Sequence, residues 1–120
     1  MTLTQSLPAL FSSIDAKQAD TFVSFLTEDA VFRYGSAAPA EGRETIRHAV
    51  AQFFSTITSC AHRILRVWEQ PDTLVVQGEV RYVTLDGREV TVPFCNVFEL
   101  RDEKIAKYLI YLDPTPMLAP

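Results

Sequence analysis

Residues 89–113, EVTVPFCNVFELRDEKIAKYLIYLD, constrain the fold more than any other stretch of the chain. Apolar and polar side chains alternate on both sides of a short polar turn, Arg101–Lys104, the pattern of two paired strands. The stretch ends on Asp113, a carboxylate in an otherwise apolar, aromatic segment, and burying a carboxylate is costly unless it has partners or a function. Asp113 is therefore expected to project into an internal pocket. The alternative is a strand-end aspartate that caps the turn before Pro114.

Upstream, the hydrophobic period changes from helical to alternating after Ile57. Two further strands follow, His62–Glu69 and Thr73–Leu85, with turns at Pro71-Asp72 and Asp86-Gly87. Before Ile57 the spacing predicts helices. One starts near Ser6 and Pro8 and carries Leu7, Leu10, Phe11 and Ile14; a second covers Ala16–Leu26; the third, Arg43–Thr56, has a wide apolar stripe from Ile46 to Phe54. A short strand, Ala30–Tyr34, and a loop of small residues, Gly35–Gly42, separate the last two. Helices first, then an antiparallel meander, give an α+β fold: a cone-shaped curved sheet wrapped around three N-terminal helices.

At 120 residues the chain reads as one domain, 1–120, with enough apolar residues for a core. A net charge of −4 gives no electrostatic reason to bind nucleic acid or an acidic membrane surface. The N-terminal residues hold neither a basic region nor a long apolar run, so no signal peptide or membrane span is expected and the location is expected to be cytoplasmic. Cys60 and Cys95 lie in apolar stretches and are expected to be reduced, buried thiols. No Cys/His spacing suggests a metal and no glycine-rich loop suggests a phosphate cofactor, so neither is expected. The PTPMLAP tail is expected on the surface or against a partner.

Turn lengths set which side chains share a face. A two-residue Asp86-Gly87 loop pairs Leu85 with Arg88, and so Arg81 with Val92 and Glu79 with Phe94. An even-length loop at Arg101–Lys104 then sets Val92 opposite Asp113, whereas an odd one would flip the last strand. On this register Glu79, Arg81, Phe94, Asn96, Tyr111 and Asp113 converge on one face, with Arg81 and Asp113 about 10 Å apart at the backbone. The expected site is an aromatic-lined concavity for a small hydrophobic molecule. Asp113 moves a proton, Glu79 and Arg81 tune it, and Tyr34 and Asn96 hold an oxygen that gains charge. His62 is a proton carrier if it faces inward; Phe94, Tyr111, Phe54 and Trp68 line the substrate, although Trp68 and Phe54 also suit a plain core. His48 falls on the polar side of its helix. Both sheet faces are too apolar to meet water, which predicts a homodimer through the back of the sheet.

The segments LTEDAVFRYG…AEGRETI, LDGREVTVPFCNVFELRDEKI and IYLDPTPML resemble the superfamily of nuclear transport factor 2, ketosteroid isomerase, the SnoaL polyketide cyclases and limonene-epoxide hydrolase. The resemblance implies the cone-shaped fold and a cofactor-free acid–base enzyme (isomerase, cyclase or epoxide hydrolase), or a non-catalytic ligand-binding or protein-association module. It implies for Asp113 the acid–base role of the terminal-strand aspartate, and for Asn96 a place near the isomerase's oxyanion donor. The chain departs from the epoxide hydrolase pattern at Glu79-Val80-Arg81 and Phe32-Arg33-Tyr34. It also lacks the isomerase's general base near Arg33 or Tyr34 and its phenol at Leu10 or Phe11, which disfavours steroid isomerisation by that mechanism.

Overall fold

A computed structural model describes residues 2–118; Met1 and the last two residues of the tail, Ala119 and Pro120, lie outside the described residues. Helix α1 spans Leu3–Asp15 and starts earlier than the Ser6/Pro8 signal suggested. Thr2 and Gln5 form a reciprocal capping box at its start, and Pro8 sits inside the helix. Leu3, Leu7, Leu10 and Phe11 form its buried stripe. Helix α2 is only Ala19–Val23, and α3 runs Arg43–Phe54. Strand β1, Leu26–Tyr34, takes Leu26, which helical periodicity had assigned to the second helix, because Leu26 pairs with Ile105 of the last long strand. That partner lies far along the chain, where local spacing cannot see it.

The remaining strands are β2 (Ala40–Glu41), β3 (Ile57–Gln70), β4 (Thr73–Thr84), β5 (Glu89–Arg101) and β6 (Lys104–Tyr111), and a short helix α4 covers Thr115–Leu118. They form one curved, unclosed sheet in the order β2-β1-β6-β5-β4-β3. The meander is antiparallel as expected, but β1 joins β6 in parallel, so the sheet is mixed. The helices cover its inner face. Their common core is aromatic: Tyr108 packs tilted against Phe98 at 4.5 Å and edge-on against Phe22 at 5.3 Å. Among the described residues no helix is long and apolar enough to cross a membrane.

Two one-residue features correct the expected register. The β4–β5 connection has three residues, not two: Thr84 N–H donates to the Arg88 carbonyl at 2.9 Å, enclosing Leu85, Asp86 and Gly87. Only Gly87 has positive φ (87°), so the loop is a turn closed by a left-handed glycine. Thr84 also bonds the Asp86 carboxylate through its hydroxyl. Arg81 thus faces Thr91, and Glu79 faces Pro93. The Asp102-Glu103 turn does have two residues, both with positive φ, but the β5–β6 pairing shifts beyond Leu100 so that Glu99 meets Lys107 and Cys95 meets Tyr111. Ala106 is the extra residue of this β-bulge. Because side chains alternate, each slip turns a strand over relative to β5.

Candidate functional site

Strand β5 is the only one of the last three whose inner face matches expectation: Val92, Phe94, Asn96 and Phe98 are buried. On β4 the inner face is Leu74, Val76, Gly78, Val80, Tyr82 and Thr84, and on the sequence-distal half of β6 it is Tyr108 and Ile110. Glu79, Arg81, Tyr111 and Asp113 therefore point away from the interior, which corrects their expected convergence. Glu79 lies 3.9 Å from Arg63 and Arg81 3.3 Å from Glu89, both surface ion pairs of small energetic weight. The exposed Asp113 accepts hydrogen bonds from the Thr115 backbone N–H (3.0 Å) and hydroxyl (2.6 Å). Those bonds hold its carboxyl below the usual range. It caps α4. Trp68 is also on the outer face, exposed, with the Arg66 guanidinium 5.2 Å from its ring centre.

The inner face encloses a cavity of about 200 Å³ between β-sheet, α1 and α3. Tyr34, Phe54, His62, Phe94 and Asn96, all expected at the site, line it. They are joined by Tyr82 and Cys60, and the small residues of the 35–42 loop, Ala37, Ala38 and Ala40, form one wall. No Asp, Glu, Lys or Arg is among the lining residues. Gly78 shapes the wall from behind. A Cβ there would stand 2.2 Å from the Arg63 carbonyl oxygen and 3.0 Å from the Phe94 ring, so only glycine allows both neighbours this close.

The polar part of the cavity is built around a residue the sequence reading missed. Asp15, the last residue of α1, accepts from the His62 backbone N–H at 3.0 Å and lies 2.6 Å from Nδ1 of the same histidine. A negative charge at a helix C-terminus is disfavoured by the macrodipole, so its presence in the sequence Ser12-Ser13-Ile14-Asp15 was the available signal that it serves another group. The His62 ring packs in a triangle with Phe11 (5.0 Å) and Phe94 (5.4 Å), which lie 6.1 Å from each other. With a carboxylate on Nδ1, that nitrogen carries the proton and Nε2 is the one available to a molecule in the cavity.

Tyr82 stands opposite Cys60 across the β3–β4 pair, diagonal to His62, a separation of about 7–8 Å. Its hydroxyl is 3.1 Å from that of Tyr34. Burial raises the pKa of both phenols, so they stay protonated across the physiological range. Asn96 is 2% exposed, and its Oδ1 has no hydrogen-bond partner among the described residues. Asp15, Cys60 and His62 bring one donor atom each to within 4.8 Å of one another, a set able to hold a metal ion. The Oδ1–Nδ1 distance of 2.6 Å is that of a hydrogen bond, tighter than two ligands of one ion. The Cys60 thiol, pushed up to about 12 by burial and by the Asp15 carboxylate, is protonated.

Residues 8–108 match the family described as the SnoaL-like domain. The chain belongs to that family. Among solved structures, this SnoaL-like chain is similar to a nuclear transport factor 2-like protein of unknown function from Burkholderia pseudomallei, at 14% identity, TM-score 0.87, covering 96% of this chain and 93% of that one. A putative SnoaL-like polyketide cyclase from Jannaschia sp. aligns at 20% identity and TM-score 0.83, covering 96% and 88%. An LEH-like epoxide hydrolase of M. tuberculosis aligns at 17% identity and TM-score 0.79, covering 95% and 84%. No curated protein sequence matches the chain. At these identities the likeness is one of fold.

Proposed function

We propose that this SnoaL-like protein is a cofactor-free acid–base enzyme acting on a small hydrophobic carbonyl or epoxide, by isomerisation, cyclisation or epoxide hydration. The observation that carries the reading is the Asp15–His62 pair at the cavity wall. His62 Nε2 accepts the proton from a carbon next to the substrate carbonyl, and the C–H electron pair moves into the enolate. A proton of the Tyr34–Tyr82 pair meets the oxygen that gains charge. The same His62 returns the proton to carbon. Asp15 fixes the ring tautomer and stabilises the imidazolium that forms, acting through His62 as a positioning residue.

Deuterium uptake by β-tetralone tests this. The wild type is expected to exchange the protons beside the carbonyl, His62→Gln to exchange them about 10²–10⁴ times more slowly, and Asp113→Asn at the wild-type rate. Loss of exchange in Asp113→Asn with retention in His62→Gln overturns the assignment. The predominantly hydrocarbon lining favours a second reading, a non-catalytic carrier of the same ligand class. Equal binding by wild type and His62→Gln with no exchange by either selects the carrier.

The homodimer is likewise proposed. Pairing aligns Trp68, Val75, Val97 and Leu109 in one row across four strands of the outer face, with Cys95 and Tyr111 in the next. An apolar row that crosses β3 to β6 is suited to the same row of a second copy.

A further inference from the structure

We infer that the cavity selects a neutral ring compound that carries, besides its carbonyl, a hydroxyl group donated to Asn96. The inference takes the carbonyl end from the acid–base reading and adds the other end. It starts from a buried carbonyl oxygen without a partner. An amide oxygen removed from water and left unpaired costs about 1–3 kcal/mol, and buried polar atoms in native proteins are nearly always paired. Asn96 lines the cavity from the middle of β5, held there by backbone pairing to Val76 on one side and Ile110 on the other. Its Oδ1 finds no donor among the described residues. Oδ1 exposes almost no surface as it stands, so the amide turns about its last bond to present it, and the matching ligand group is a hydroxyl, which can donate to Oδ1 or accept from the amide nitrogen.

The other walls narrow the class. No Lys or Arg lines the cavity, and any charge on His62 is already matched by Asp15, so a carboxylate or phosphate would be desolvated without a counter-charge of its own. Phe53, Phe54, Phe94 and Tyr108 supply aromatic faces. A closed apolar cavity of about 150 Å³ accepts benzene. At about 200 Å³ this one accepts a substituted single ring or two fused rings at its inner end. The Tyr34–Tyr82 hydroxyls and the Asn96 amide give the ring two polar anchors, so its orientation before His62 is fixed by two hydrogen bonds rather than by shape alone.

Affinity measured by titration calorimetry decides this without any reaction. The probes are β-tetralone and its isomers bearing a hydroxyl or a carboxylate on the aromatic ring. At least one hydroxylated isomer is expected to bind wild type about tenfold more tightly than the parent, and every carboxylated isomer more weakly than the parent. In Asn96→Leu the parent and its hydroxylated isomers are expected to bind within about twofold of each other. Equal affinity of parent and hydroxylated isomers for the wild type, tightest binding by a carboxylate, or an undiminished preference in Asn96→Leu each overturns the inference. The wild-type comparison stands alone if that variant does not fold. Hydroxyl selectivity without deuterium exchange would uphold this inference while removing the acid–base reading, so the two fail separately.

Discussion

At the scale of single residues, the site depends on Asp15 making two bonds at once. One oxygen binds the backbone of β3 and the other the ring of His62. Asp15→Asn keeps the size but loses the charge. It is expected to slow β-tetralone exchange by about tenfold or more while leaving the ligand dissociation constant within about twofold, since Asp15 is not a lining residue. A matched fall in affinity and rate would instead mean that Asp15 only holds the fold together. Titration gives a second expectation. Cys60 is pushed up to about 12, and Tyr82 and Tyr108 are raised further, chiefly by burial. Above the unfolded thiol value of 9.0 the unfolded chain sheds protons that the folded chain keeps. Stability is then full below that pH and falls as pH rises through the window up to about 12. Urea midpoints should decline through this range and decline less in Cys60→Val; a flat profile contradicts the buried thiol.

At the scale of elements, the outcome turns on two single residues. The alternation in β4, β5 and β6 was legible, and so were α3, the meander and the inward placement of Tyr34, Phe54, Phe94 and Asn96. Asp86-Gly87 also signals a hairpin, but it suits both a two-residue loop and a three-residue loop closed by a left-handed glycine. Only the Thr84 side chain, bonded to Asp86 and to the Arg88 backbone, selects the longer one. Ala106 carries no mark of a bulge at all. Parity amplifies each such detail into a turned-over strand, which is why Asp113, Glu79 and Arg81 read as interior groups. Asp15 was missed because its partner is 47 positions away. Gly78 offers the sharpest test of the observed register. Gly78→Ala brings a methyl group against the β3 backbone and the Phe94 ring, and it should destabilise by about 1–3 kcal/mol and weaken β-tetralone binding. A neutral effect on both would contradict the placement of Phe94.

At the scale of the molecule, the helices shut one face of the sheet and leave the other with an apolar row from Trp68 to Leu109. Static light scattering at micromolar concentration should give about 27 kDa, twice the 13.5 kDa chain, and Val97→Glu should give the single chain with its β-tetralone affinity intact. A wild-type monomer sinks the dimer without touching the pocket, because the two lie on opposite faces.

The pocket itself is tested most directly by nitrogen NMR of the His62 imidazole, with and without β-tetralone. The ring is expected to be protonated at Nδ1 and bare at Nε2, with the Nε2 resonance shifting as ligand is added and the Nδ1 preference lost in Asp15→Asn. A His62 ring that ignores bound ligand, while the Asp113 carboxyl responds to it, would rule out His62 as the group facing the ligand.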